Sequence, residues 1–262
     1  MSRTQVEEFT INAPGGRVFV KQWTPESDTQ KSPVILLHDS LGSVDLWRDF
    51  PLDLANSLSR RVVAYDRLGF GKSDVRDALP AINFIEEEAT GYFPRIKEQL
   101  SIQRYVLFGH SVGGGMAINI AARDADCQAV ITVSAQAFVE DLTVKGIQQA
   151  KQLFAEPGQI ERLEKWHGQK AEWVLRAWTD IWLSAEFRDW SLQPAIRQVH
   201  CPVLAIHGER DEYGSYAFPD FIATNTSGQA DRLLLEDCGH MPHKENPQAV
   251  IRATLELLNQ ID

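Results

Sequence analysis

The chain has 262 residues, 44% of them hydrophobic and 24% charged, and a formal net charge of −10. That length supports one domain with a sizeable core and room for an insertion. The acidic balance excludes general nucleic-acid binding, which needs a basic patch, and docking on anionic membranes. Three widely spaced cysteines, Cys127, Cys201 and Cys238, make neither a disulfide framework nor a zinc motif. The first residues lack the apolar segment of a secretory leader, and no apolar run reaches the length of a membrane span. The expectation is a cytoplasmic protein acting on a small molecule, with no nucleic-acid or membrane partner and with self-association left open.

In chain order, residues 6–11 and 18–23 read as short β runs around Asn12-Ala13-Pro14-Gly15-Gly16, a hairpin signal. Residues 33–38 are a continuous apolar run, the pattern of a strand buried on both faces. A helix is predicted over 52–58, a buried strand over 61–65 ending at Asp66, and a helix over 84–100 despite Pro94. A strand over 105–108 runs into Gly109-His110-Ser111-Val112-Gly113, and a helix follows through 123. Further β runs cover 129–133, 202–207 and 232–235. Asn246 and Pro247 read as N-cap and first residue of a last helix, with Ile251, Leu255 and Leu258 along one face. Strands alternating with helices predict an α/β fold, a mostly parallel sheet covered on both sides.

The stretch 135–195 breaks this rhythm and contains no convincing strand. Ile147, Ala150 and Phe154 share one helical face; Val174, Trp178 and Ile181, with Trp182 beside them, share another. The segment reads as a helical cap inserted into a core formed by 1–134 and 196–262.

Gly109–Gly113 fits G-x-S-x-G, and a serine at a glycine-flanked strand-to-helix turn is a nucleophile elbow. A serine hydroxyl is a poor nucleophile at neutral pH; it needs a histidine base and a carboxylate to orient that base. In this arrangement the order along the chain is serine, acid, histidine. Of the seven histidines, His240 and His243 lie after every candidate acid. His240, in Cys238-Gly239-His240-Met241-Pro242 after the last strand, is the expected base, and His243 is expected to cap the turn that follows. The acid is expected in Gly208-Glu209-Arg210-Asp211-Glu212: Asp211 by its distance from the strand end, with Glu212 as its rival and Glu209 still at the strand tip. An oxyanion needs preorganised N–H donors. The expected donors are the backbone amides of Val112 and of Ser40, in the loop His38-Asp39-Ser40-Leu41-Gly42.

Together these segments resemble the α/β-hydrolase family over almost the whole chain outside the cap. His38–Ser43 with Trp47 is similar to the family's H-G-x-x-G loop, and Asp66–Ser73 to its D-x-x-G-x-G-x-S segment. The elbow, the acid turn and Gly239-His240 with Glu245-Asn246-Pro247 follow in the family's order. The resemblance implies a largely parallel eight-stranded sheet flanked by helices, with the cap after the sixth strand. One position departs: residue 39 is Asp where the family usually has Gly, a glycine that eases an unusual backbone conformation.

Other motifs fail. Gly71-Lys72-Ser73 lacks the glycine five residues earlier that a P-loop requires, and Gly113-Gly114-Gly115 does not make G-x-G-x-x-G. Serine at position 111 sets aside epoxide hydrolases, haloalkane dehalogenases and dienelactone hydrolases. Cys238 reads as a packed thiol. Five of the seven tryptophans, Trp166, Trp173, Trp178, Trp182 and Trp190, fall in the insertion. Most are expected to pack helix on helix, with some facing an apolar pocket assigned to His110, Trp178 and Trp182. Arg162, Lys165, Lys170, Arg176 and Arg188 read as a solvated face from which one cation is free to meet a substrate carboxylate. The combined expectation is a serine carboxylesterase for small-to-medium apolar esters, without metal or organic cofactor. The alternatives are a carbon–carbon hydrolase, thioesterase, lactonase or cofactor-free perhydrolase of the same fold, and a receptor-like binding protein on a hydrolase scaffold.

Overall fold

A computed structural model describes residues 4–28 and 30–261. It contains one eight-stranded sheet. Strands β1 (Gln5–Ala13) and β2 (Gly16–Thr24) form the expected antiparallel hairpin, in register from Gln5↔Thr24 to Ala13↔Gly16. Strand β3 (Val34–Leu37), helix α1 (Phe50–Leu58) and strand β4 (Val62–Tyr65) follow. The predicted helix over 84–100 keeps its course but changes pitch: α2 (Phe84–Glu87), a π-helical turn over Glu88–Tyr92, and α3 (Phe93–Gln99). Pro94 is the second residue of α3, directly after the π-helical turn, where the change of pitch accommodates its missing N–H. Then come β5 (Tyr105–His110), α4 (Val112–Ala121) and β6 (Cys127–Val133).

Between β6 and the next strand lie α5 (Asp141–Phe154), α6 (Gln159–His167), α7 (Ala171–Trp182) and α8 (Gln193–Ile196). A single bridge between Phe138 and Ser191, and the bond from Leu192 N–H to Ala137 O at 2.7 Å, clip the two ends of this insertion together. The chain finishes with β7 (Val203–Gly208), α9 (Ala217–Asn225), β8 (Ala230–Leu235), α10 (Pro242–Glu245) and α11 (Pro247–Leu258). The Asn246 side chain accepts from Ala249 N–H, so the predicted cap of the last helix is present.

The sheet order is β1-β2-β4-β3-β5-β6-β7-β8, with β1, β2 and β4 joined antiparallel and every later pair parallel. Alternate residues of the central strands feed two separate cores, because side chains switch face at each step. Val34, Leu36, Val106 and Phe108 pack with Leu54 of α1 and with Val250, Leu257 and Leu258 of α11. Ile35, Leu37, Tyr105 and Leu107 pack on the other face, with Met116 and Ile120 of α4 and Phe218 and Ile222 of α9. The strand order reverses at β3, which pairs with both β4 and β5. The loops after β3 and β5 therefore leave the C-terminal edge side by side and open a crevice there. No helix of the described residues is long and apolar enough to cross a membrane.

Candidate active site

Ser111 occupies the one residue between β5 and α4, with φ 55° and ψ −125°. This positive φ is strained for a residue with a side chain, and strain of this kind is tolerated where the surroundings enforce it. The enforcement is visible. Ser111 N–H donates to Val133 O on β6 at 2.8 Å, and Gly114 N–H closes the first turn of α4 onto Ser111 O at 2.9 Å. A Cβ at Gly109 would strike the backbone of Gly113, and one at Gly113 would strike the carbonyl of Leu37 on β3. Strand and helix thus touch backbone to backbone, and only glycine fits at both places.

The adjacent loops bring the other predicted residues to the same edge. Strand β7 pairs with β8 up to Gly208↔Leu235, so the turns that follow both strands meet. Asp211 and His240 come together there. Both carboxylate oxygens lie 2.9 Å from His240 Nδ1, which donates its proton to them and so leaves Nε2 as the basic nitrogen. Tyr213 N–H donates to Asp211 Oδ1 at 2.8 Å. His207 Nε2, which donates to Gly214 O at 3.0 Å, lies 3.4 Å from Oδ2. The Asp211 side chain is 1% exposed, whereas Glu209 and Glu212 are exposed. Burial pushes the Asp211 carboxyl up, but the charge and hydrogen bond of His240, then His207 and the Tyr213 amide, hold it below its ordinary range. Burial opposes protonation of His240, and the Asp211 carboxylate outweighs it, so the imidazole titrates above its ordinary 6.5.

Ser111, Asp39, Ser40, Gln136, Trp178, Trp182, Tyr213 and His240 all line one cavity of about 360 Å³. In this state the Ser111 hydroxyl donates to Gln136 Oε1 at 3.2 Å. Gln136 is buried, three residues beyond the end of β6, and sequence reasoning did not single it out. Its only sequence signal is its place just past a strand end at the sheet edge.

The amide of Val112, first residue of α4, has no intrahelical acceptor. In the loop after β3, Leu41 N–H bonds to Asp39 Oδ2 at 3.3 Å and Gly42 N–H to Asp39 O at 3.2 Å. The amide just before them, that of Ser40, has no acceptor among the described residues. The loop is braced from below. His38 Nδ1 donates to Asp39 O at 2.8 Å, Arg67 N–H donates to His38 Nε2 at 3.1 Å, and the Arg67 guanidinium donates to Asp39 O at 2.8 Å.

Four expectations need correction. Asp39 does not adopt a left-handed backbone, so glycine's freedom is not required there. Its carboxylate instead lies 3.6 Å from His110 Nδ1. Burial works to raise the Asp39 carboxyl, but His110, then His38 and Lys244, hold it well below the usual carboxylate range. His110 does not line the cavity; it lies beneath the site, 1% exposed, and its Nε2 donates to His240 O at 2.8 Å. His243 is not a cap. It is buried inside α10 against Trp47, Phe50 and His110, since its ring fills the space under the histidine loop.

Lys170 is not on a solvated face. It donates to Gly71 O at 2.8 Å and Ser73 O at 2.6 Å. Beside it, His167 Nδ1 accepts from Gly71 N–H at 2.8 Å and Nε2 donates to Leu41 O at 3.0 Å, which ties α6 to the loop after β3. Of the insertion's tryptophans, Trp166, Trp178 and Trp182 line the cavity, Trp173 packs on Phe70, and Trp190 stacks on Phe187. Among the described residues, no group of three or more His, Cys, Asp or Glu side chains is placed to hold a metal.

A parallel sheet reversing at β3, with a strained serine at the tip of β5, defines an α/β-hydrolase fold. The chain belongs to the alpha/beta hydrolase family, whose profile matches residues 34–253. Among curated relatives, the proline iminopeptidase of Lactobacillus acidophilus is 33% identical over 90 residues, which are 34% of this chain and 30% of that protein. The chain thus spans about a third of the length of the curated relatives it matches first. Among solved structures, proline iminopeptidase of Mycobacterium smegmatis aligns with a TM-score of 0.73 at 20% identity, over 97% of this chain and 98% of that one. Naproxen esterase of Bacillus subtilis aligns with a TM-score of 0.73 at 15% identity, over 97% and 92%. At these identities the structural likeness is one of fold.

Proposed function

We propose that this protein is a serine hydrolase that cleaves carboxylic esters of small-to-medium, largely apolar acyl compounds through an acyl-enzyme on Ser111. The observation that carries the reading is the buried Asp211 carboxylate paired at 2.9 Å with His240, which lines the same cavity as the strained Ser111. Rotation of the Ser111 hydroxyl away from Gln136 presents it to His240 Nε2. His240 takes the proton as the hydroxyl attacks the carbonyl, and Asp211 stabilises the imidazolium. The amides of Val112 and Ser40 receive the oxyanion. His240 then protonates the leaving alcohol and activates water for deacylation. Helices α5–α8 act as a cap whose Trp178 and Trp182 give the acyl group an apolar wall.

A second reading follows from the relatives named proline iminopeptidase. An N-terminal amine is a cation and calls for a carboxylate. The cavity wall offers one, Asp39, which is engaged with His110, beside the cations Arg162 and Lys244. That balance favours the ester reading. Ser111→Ala is expected to lower p-nitrophenyl butyrate turnover by about 10⁶-fold in folded protein. Unchanged turnover, or faster release from a proline anilide than from any ester, contradicts the proposal.

A further inference from the structure

The cavity wall carries charge that the proposed mechanism does not use. Arg162 on α6 and Lys244 on α10 both line the cavity that holds Ser111. Arg48 joins them: its guanidinium lies 4.2 Å from the ring centre of Trp166, another lining residue. None of the three makes an ion pair with a carboxylate among the described residues. In a chain of net charge −10 this local excess of cations runs against the average.

Three nearby acids have partners of their own. Glu245, next to Lys244, accepts from Gly239 N–H at 2.8 Å and Met241 N–H at 3.0 Å. Asp45 pairs with Lys72 at 3.0 Å. Asp39, the acid on the cavity wall, takes the Leu41 amide, faces His110 at 3.6 Å, and is attracted to Lys244 without forming an ion pair with it. Leu163, Trp166, Trp178 and Trp182 give the same cavity an apolar wall. The cavity therefore combines apolar walls, the Ser111 hydroxyl and a group of cations.

We infer that the preferred substrates of the Ser111 site carry an anionic group, a carboxylate or a phosphate, at the end remote from the scissile carbonyl, held between Arg162, Lys244 and Arg48. The inference rests on the serine-hydrolase reading and names its substrate class. A planar guanidinium receives a carboxylate or phosphate through two parallel N–H bonds, and a lysine adds a point charge. The same charges repel a substrate amine and make association faster at low salt.

The test compares mono-p-nitrophenyl adipate, which ends in a free carboxylate, with the p-nitrophenyl ester of adipamic acid, its neutral isostere. The wild-type enzyme is expected to favour the carboxylate by about tenfold in kcat/KM, chiefly through KM, the factor one charge-assisted hydrogen bond supplies. Added salt should erode that preference. An ester ending in a phosphonate tells the two anions apart. The preference should collapse toward unity in R162Q/K244Q and persist in K151Q, whose lysine pairs with Asp180 on the outside of α5. A wild-type ratio near one for both anions overturns the inference and leaves the hydrolase reading standing. If no ester is turned over, the hydrolase reading fails, and titration of S111A with monomethyl adipate against methyl adipamate still decides the site. Equal or undetectable binding of the two overturns the inference.

Discussion

Replacing Asp211 by Asn is the perturbation whose consequence follows most closely from the geometry. Asn is nearly isosteric, and its oxygen keeps the 2.8 Å bond from Tyr213 N–H. Its amide group replaces Oδ2, one of the two oxygens 2.9 Å from His240 Nδ1, while Oδ1 stays in place. Nδ1–H then meets an N–H donor where it had a second acceptor, and the charge that stabilises the imidazolium is gone, so the tautomer whose Nε2 would take the Ser111 proton is weakened. For a triad whose aspartate is replaced by Asn the loss is about 10⁴-fold in kcat, or about 5.4 kcal/mol in barrier. The pH dependence changes as well. In the wild type, burial lowers the His240 pKa and Asp211 more than offsets it, so kcat/KM rises with pH through a midpoint above 6.5. In Asp211→Asn the burial effect is left unopposed by that charge, and the acid limb moves to lower pH while the plateau falls. Stopped assays with p-nitrophenyl butyrate across the acid-to-neutral range measure both. A loss of less than about tenfold, or a larger loss in Glu212→Gln, would refute the assignment of the acid.

Further consequences can be measured independently. Asp39→Asn keeps an acceptor for Leu41 N–H but removes a charge that raises the His240 pKa, so the acid limb of kcat/KM should move to lower pH, by less than in Asp211→Asn. Asp66→Ala leaves the amides of Val44 and Lys72 unpaired, bonds of 2.6 and 2.7 Å, and should cost about 2–6 kcal/mol in urea unfolding. Burial pushes the Asp66 carboxyl from 3.8 to about 6, so the folded protein holds a proton the unfolded chain has released in that window. Stability should accordingly fall as pH rises between those values, and fall less in Asp66→Asn. Gly115→Ala meets its nearest neighbours, Trp190, Ile85 and Leu192, at 3.6–3.7 Å and should gain about 0.5–1 kcal/mol, whereas Gly113→Ala should not fold.

The strands and their alternation with helices were legible because a sheet covered on both faces imposes continuous apolar runs at 33–38, 61–65 and 105–108. The elbow was legible for a related reason: a backbone-to-backbone contact admits only glycine, and glycine leaves its mark in the sequence. The choice among Glu209, Asp211 and Glu212 was open along the chain. It is resolved in space by the Tyr213 amide and by the β7–β8 register, which bring one carboxylate to His240 and leave the others in solvent. What was not legible depends on contacts between distant segments. His110 supports the His240 carbonyl across 130 positions, and His167 reaches Leu41 across 126. Neither residue has a local pattern that distinguishes it from a packed core histidine. Gln136 and the Arg48–Trp166 stack are likewise products of how the loops meet at the sheet edge.

The central claim is that Ser111 is a nucleophile activated by His240. Incubation of the folded protein with a fluorophosphonate, followed by peptide mass spectrometry, tests it most directly. A single phosphonyl adduct on Ser111, absent from Ser111→Ala and strongly slowed in His240→Ala, is the predicted result. Folded wild-type protein that stays unlabelled, or that is labelled equally well at Ser111 without His240, would contradict the account.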